Sequence, residues 1–389
     1  MSGPRSVYLA KGSRVFVSGL MSVMIPVYLN SMGYGPFFIG VALAAILAGN
    51  AASNIVLSYL VQRTGSRKLL QAFSLLMLGS GLLLAASTQP IPILLACFLG
   101  NVSTTGTEAG PFQSVEAGVL PELVAEGSAV KAFGRYNLIG YTASAFGTSA
   151  LSVPGYLGSS LPVFRTLFIG FGVVGLLLFT IYTRLRFPTR KYIHESGPSP
   201  LGPEARRDVT RLSGLFSVDA FGGSFVSQYL LSYWFTVVYG VPVSGLAAIF
   251  LFSNLISGAS TYGAAVVAER LGNLRTMVYT HIPSSILLIL IPFAGTLTAA
   301  VVLLFLRQSL SQMDVPTRQA LMTEMFKESE RVPAYAITNT VRSVGAFAAG
   351  PVSAGLLVLG LPSALLYLGG ATKIGYDLST YVVYRKRFR

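Results

Sequence analysis

Gln62 to Lys68 (QRTGSRK) returns 207 residues later as Glu269 to Arg275 (ERLGNLR), each time between two long apolar runs. Working outward from this pair, Glu108 to Gln113 (EAGPFQ) is echoed 206 residues on by Asp314 to Gln319 (DVPTRQ), and Asn137 by Asn339 at an offset of 202. Near-constant spacing implies one unit duplicated head to tail, and an internal repeat constrains the fold before any local reading does.

The composition places the repeat in a membrane. Of 389 residues 52% are hydrophobic and only 11% charged, with a mean hydropathy of +0.64, too few polar groups to cover a soluble globule of that length. A spanning helix needs about 20 mostly apolar residues. Twelve such runs can be drawn, near 13–32, 36–60, 69–88, 92–117, 132–153, 162–183, 212–239, 243–267, 276–294, 298–320, 332–358 and 362–383, called segments 1 to 12 here. The fold class expected is therefore all-α integral membrane, with two parallel pseudo-symmetric six-helix bundles. Residues 1–183 form the first bundle, 184–211 a basic linker containing the turn-rich stretch Gly197 to Pro203 (GPSPLGP), and 212–389 the second bundle.

Charge then sets orientation. The formal net charge is +14, and 23 of the 28 Lys and Arg residues fall in the termini and even-numbered loops. Basic residues are retained on the cytoplasmic side, so a multi-pass protein of the cell membrane with both termini cytoplasmic is expected. Affinity for anionic lipid head groups follows, and nucleic acid is not expected as a partner. The first apolar segment has no cleavage-site pattern and reads as a retained helix.

Most enzyme classes are disfavoured. One cysteine, Cys97, and two histidines, His194 and His281, make a poor metal set, and no phosphate-binding Gly-x-x-x-x-Gly-Lys loop is present. Parallel repeats of this size in membranes belong to transporters. No metal or other cofactor is expected, the energy source being a proton gradient.

These residues resemble the major facilitator superfamily, over essentially the whole chain. The resemblance is carried by the two signature loops, by Leu120 to Asn137 and by Glu324 to Gly345, the last two similar to loops of the superfamily's drug and metabolite efflux branches. It implies a secondary active transporter working by alternating access, with segments 1, 4, 7 and 10 around the cavity. It also implies a cytoplasmic latch in which loop acids and arginines hold neighbouring helix ends, here Gln62, Arg63, Gly65 and Arg67 in the first copy and Glu269, Arg270, Gly272 and Arg275 in the second. Glu116, Arg135 and Arg318 are assigned to the same inner latch. Because Gln62 replaces the acid, the first latch is expected to be the weaker. A Gly-Pro pattern that drug:proton antiporters carry in segment 5 is absent there; the nearest match, Gly350 to Gly355 (GPVSAG), lies in segment 11, where small residues are read as a helix-packing stripe.

Ionisable groups at membrane depth are the candidate functional residues, since each is costly unless it faces a partner or water. Arg307, Ser311, Asp314 and Arg318 share a helical face of segment 10, with Arg307 about 14 Å and Asp314 about 24 Å from the outer end. An Asp314–Arg318 pair fits the i+4 spacing. Asn101, Thr105, Glu108 and either Phe112 or Gln113 share a face of segment 4. Glu108 has Phe112 where the second half has Arg318, so it is the leading proton carrier, with substrate contact and a structural hydrogen bond as alternatives. Asp219 is either a second coupling acid or a static partner knitting segments 7, 10 and 11, and Asp314 is a third candidate. Arg307 is the leading substrate-side cation, favouring a solute with a carboxylate, phosphate or other electron-rich group. Arg342, Asn339, Tyr229 and Tyr233 complete the cavity candidates, while Lys373 and Asp377 are spaced for an intrahelical pair. A monomeric, proton-coupled exporter of a small organic solute is the reading. Uniport or exchange of a neutral metabolite, and a gradient-independent lipid-translocating or channel-like protein, are the alternatives.

Overall fold

The computed structural model describes residues 4–106, 110–119, 129–150, 161–185, 201–326 and 328–387. Among them are fifteen α-helices, one 3-10 turn and no strand. The helices are α1 (Pro4–Ser31), α2 (Pro36–Thr64), α3 (Ser66–Ala86), α4 (Pro90–Leu99), α5 (Gly110–Val119), α6 (Ala129–Ser149) and α7 (Leu161–Arg184). They continue as α8 (Pro203–Ser224), α9 (Gln228–Tyr239), α10 (Val243–Leu271), α11 (Asn273–Leu290), α12 (Leu297–Ser311), α13 (Asp314–Met325), α14 (Glu328–Val358) and α15 (Ala364–Tyr384). Seven of them, α1, α2, α3, α7, α10, α11 and α14, are long and apolar enough to cross a membrane by length and composition.

Three expected spans are interrupted. Segment 4 contains α4 and α5, the chain being non-helical over 100–106, segment 7 is α8 and α9, and segment 10 is α12 and α13. Each break has a local cause. After α4 the chain leaves the helix at Gly100, Asn101 takes φ 50° and Gly106 φ 78°. The α9 start is set by Ser227, whose hydroxyl accepts from the Leu230 amide. At the α12–α13 break, Pro316 has no N–H to offer the Gln312 carbonyl four residues earlier, and the helix stops at Ser311 and restarts at Asp314. Segment 7 also begins earlier than its apolar run: α8 starts at Pro203 with Glu204 in its first turn, so part of the expected linker is helix.

The repeat is visible in the backbone. Gly65 precedes α3 at φ 79°, ψ 151° and Gly272 precedes α11 at φ 80°, ψ 160°. That region is accessible essentially only to glycine. A Cβ at either position would meet no atom within 4 Å, so the cost of substitution is backbone strain alone. Gly65→Ala and Gly272→Ala should each lower stability by about 1–3 kcal/mol, with similar values for the two. Thermal unfolding in detergent measures this, and a change confined to one copy would contradict the equivalence.

The chain divides into two compact units. The first holds Met1–Lys191, Ser227–Phe252 and Gly350–Gly360, and the second Tyr192–Val226, Ser253–Ala349 and Leu361–Arg389. In the first, the glycine stripe of α14 is a packing surface: a Cβ on Gly350 would lie 2.7 Å from Ala44 Cα, and one on Gly40 2.4 Å from Ala354 Cα. Close backbone approach of α2 and α14 is therefore what these small residues provide. In the second, Leu212, Phe216, Met277, Leu321, Ala334 and Tyr376 form a buried cluster joining α8, α11, α13, α14 and α15.

Candidate functional site

Each unit contains a buried ionic cluster joining several helices. In the second unit Asp219 of α8 is 3% exposed and receives three cations. Lys373 Nζ of α15 donates to Oδ1 at 2.8 Å, Arg318 Nη1 of α13 to Oδ2 at 3.1 Å, and Arg342 Nη2 of α14 lies 3.6 Å from Oδ2. Arg318 also donates to Asp314 at 3.2 Å and stacks over Phe216 at 5.5 Å. Asp314–Arg318 is the pair that the spacing implies. Asp219 contacts the expected segments 10 and 11 and also α15. Lys373 and Asp377 do not pair within α15; Lys373 reaches Asp219, while Asp377 accepts from His281 Nδ1 of α11 at 2.9 Å. Lys373 Nζ stands 3.4 Å from His281 Nε2.

In the first unit Glu116 of α5 is the hub, 2% exposed. Arg14 Nη2 donates to it at 2.6 Å, Tyr136 Oη at 2.7 Å and Tyr182 Oη at 2.6 Å. Arg14 lies over Phe112 at 5.3 Å and Lys11 Nζ over Tyr136 at 4.4 Å. Arg135, the partner proposed for Glu116, is exposed instead, because α1 begins at Pro4 and carries Arg14 inward. Arg14 and Asp219 are 205 residues apart and Phe112 and Arg318 are 206 apart. The repeat thus sets an acid, Asp219, where the first copy has a cation, Arg14, while the fourth-segment partner shifts by about one turn, from Glu116 in one copy to Arg318, the counterpart of Phe112, in the other.

The interrupted segment 4 holds its polar backbone with side chains, as membrane depth requires. Asn50 Nδ2 donates to the Val102 carbonyl at 2.8 Å, the Tyr229 amide to the Thr104 carbonyl at 3.0 Å and the Gly106 amide to Ser103 Oγ at 3.0 Å. The single helical face drawn through Asn101, Thr105, Glu108 and Phe112 does not exist, because the chain is not helical over 100–106. Asn101 is buried with its Oδ1 lacking a hydrogen-bond partner among the described residues, and Thr105 is exposed. Tyr229 is a packing residue whose hydroxyl donates to the Ile39 carbonyl at 2.8 Å, and Tyr233 is buried nearby on α9. Glu108 lies outside the described residues, as do the side chains of Gln62 and Arg63.

Arg307 of α12 is 6% exposed. Among the described residues its guanidinium donates only to Gln308 Oε1 at 2.9 Å, its Nε has no partner, and no carboxylate is in ion-pair range. Gln308 in turn accepts from Ser311 at 2.8 Å and donates to Ser253 at 3.0 Å. Gln113 and Asn339 are half-buried, Asn339 accepting from Ser343 through its carbonyl. The latch differs from its expected form. Glu269, Arg270 and Arg275 are exposed and form no ion pair among the described residues; the bond at this end of α11 is Asn273 Nδ2 to Glu324 Oε1 at 2.6 Å. In the first copy Arg67 donates to the Thr183 carbonyl and Gln71 to the Thr183 hydroxyl at 2.8 Å. A cavity of about 670 Å³ bordered by Phe16, Leu138, Ile139 and Leu177 is apolar and offers little to a polar solute.

A helical multi-pass membrane protein with buried charge hubs and interrupted spans is the class these observations define. The chain matches the family model of the Major Facilitator Superfamily over residues 7–350. It belongs to that superfamily and is a non-enzymatic transporter of a small-molecule substrate. An uncharacterised membrane protein of Saccharomyces cerevisiae is 24% identical over 382 residues, covering 88% of this chain and 85% of the yeast protein. The fold is similar to the crystal structure of a nucleoside transporter, NupG, with a TM-score of 0.75 at 12% identity, over 98% of this chain and 99% of that one. It is also similar to a D-xylose-proton symporter, with a TM-score of 0.73 at 14% identity, over 97% of each.

Proposed function

We propose that this transporter is a proton-coupled secondary active exporter of a small organic solute bearing an anionic or electron-rich group. Arg307 carries the reading: a buried cation without a carboxylate among the described residues is costly unless something supplies the missing charge, and a substrate does so only while bound. Proton coupling rests on Glu108, whose neighbour four residues on is Phe112 where Asp314 has Arg318. Export follows the resemblance of residues 120–137 and 324–345 to efflux-branch loops. A second reading, uniport or exchange of a neutral solute, draws on the uncharged polar run Asn101 to Thr105.

The test is flux in proteoliposomes across a panel of organic carboxylates, phosphates, sugars and nucleosides, with and without an imposed pH gradient. Anionic solutes should accumulate only with the gradient. Glu108→Gln should abolish accumulation while leaving exchange measurable, because the neutral amide mimics the protonated acid. Movement of neutral solutes alone, indifferent to the gradient, would establish the second reading.

The protein sits in the cell membrane as a monomer with both termini cytoplasmic, on the basic asymmetry of its loops. Single cysteines at Ser199 and Ser159 should label from opposite sides of the membrane. The only native cysteine, Cys97, is buried and gives little background. Labelling from one side would remove the topology.

A further inference from the structure

The second unit contains a buried imidazole that neither the transport reading nor the sequence reading uses. His281 is 2% exposed, one of two histidines in the chain, and it is held from both ring nitrogens. Its partners assign the tautomer: Nδ1–H donates to the Asp377 carboxylate at 2.9 Å, leaving the Nε2 lone pair facing Lys373 Nζ at 3.4 Å. The helices packed against α11 supply the charged and titratable groups around it. From α15 come Asp377, Lys373 and the Tyr376 ring, edge-on at 6.3 Å. From α13 come Arg318 and Asp314, and Glu324 at the start of α11. Through Lys373 the ring is one step from Asp219 of α8, and through Asp219 from Arg342 of α14. Among the described residues no charged group of α12 pairs with it.

Three acids, Asp219, Asp314 and Asp377, therefore stand with three cations, Arg318, Arg342 and Lys373, and the imidazole is the one member whose residue type changes charge near neutral pH. Protonation has a defined atomic consequence. A proton entering at Nε2 forms an N–H bond on the lone pair that Lys373 faces. The Lys373 contact is then lost, two cations face each other, and the imidazolium gains a charged bond to Asp377. Lys373 is left with Asp219 as its acceptor, so the event at α11 is transmitted to α8.

We propose that His281 is a proton-binding site of the second unit, and that its occupancy decides whether Lys373 bridges α11 to α8 or holds α8 alone. The inference rests on the proton-coupled reading and adds an imidazole to its carboxylate candidates.

The experiment requires no substrate, so its failure is distinct from failure of the flux assay. The probe is the proton itself: ¹⁵N-histidine NMR of the full-length H194A protein in detergent, with the His281 resonances assigned by their loss in H281Q. Wild-type His281 should pass from a ring with one protonated nitrogen to one with two as the pH is lowered. At pH 6 the doubly protonated fraction should fall in D377N, which removes the favourable charge, and rise in K373M, which removes the opposing one. A spin label at V218C, in a C97S background, should report a pH-dependent change at α8 that H281Q abolishes and E108Q retains. Ring nitrogens unchanged as the pH is lowered, or D377N and K373M altering the fraction in the same direction, would overturn the proposal and leave His281 a fixed structural donor. Should H194A fail to fold, H194Q carries the same measurement.

Discussion

Asp219→Asn is expected to destabilise the protein by about 3–5 kcal/mol, the loss seen when one partner of a buried ion pair is removed. The carboxylate is the shared acceptor of Lys373, Arg318 and Arg342, and asparagine keeps its shape while deleting the charge. Lys373 and Arg318 are then buried cations facing a neutral amide, and Arg318 has only Asp314 left. Thermal unfolding in detergent followed by helical circular dichroism reads the effect. Geometry also predicts an order. Arg318→Gln should cost about as much as Asp219→Asn, because it leaves Asp314 without its cation and takes one of three from Asp219. Arg342→Gln should cost far less, since that side chain is 33% exposed and 3.6 Å away. If Arg342→Gln proved as damaging as Asp219→Asn, the hub would have been misidentified.

Glu116→Gln should have a comparable effect on the first unit, again about 3–5 kcal/mol. Three donors converge on its two oxygens: Arg14, Tyr136 and Tyr182. Glutamine offers one acceptor oxygen and replaces the other with an NH2 that meets a donor head-on. Tyr136→Phe and Tyr182→Phe should each cost about 1.5–3 kcal/mol, the range for hydrogen bonds to a charged group. The expected ranking in thermal unfolding is Glu116→Gln well below either phenylalanine variant. A wild-type melting temperature for Glu116→Gln would mean that Arg14 finds its charge balance elsewhere.

The repeat was the most legible feature of the sequence, because it survives as backbone geometry. Gly65 and Gly272 are read as equivalent from spacing alone, and each adopts a conformation that only glycine tolerates. Apolar runs located seven helices of spanning length for the same reason that spans exist, the cost of polar groups in lipid. They did not reveal where spans break. Hydropathy is blind to a carbonyl being satisfied by Asn50 rather than by its own helix, so segment 4 read as continuous. Pro316 was the one visible warning, and its break lies at the carbonyl four residues before it.

Pairings were legible within a helix and obscure between helices. Asp314–Arg318 follows from i+4 geometry, whereas Lys373 and Asp377, equally spaced, turn to different partners on α8 and α11. Lys11 and Arg14 were counted as markers of the cytoplasmic side, since nothing in the local sequence distinguishes a loop arginine from one buried against Glu116. A signal did exist: aligning the two copies sets Arg14 beside the position of Asp219, and a charge reversed between repeats is a hint of a hub. His281 stands far in sequence from Asp377 and Lys373, so nothing local to it marks the pair of contacts its ring makes.

The three acids and three cations of the second unit cancel while His281 is neutral. A membrane voltage does work only on net charge, about 2.3 kcal/mol for each unit charge carried across 100 mV. Any movement of this cluster along the membrane normal is thus indifferent to voltage until a proton is added, and carries one full charge afterwards. The same set of side chains that holds these helices together would add one voltage-sensitive charge to the protonated protein.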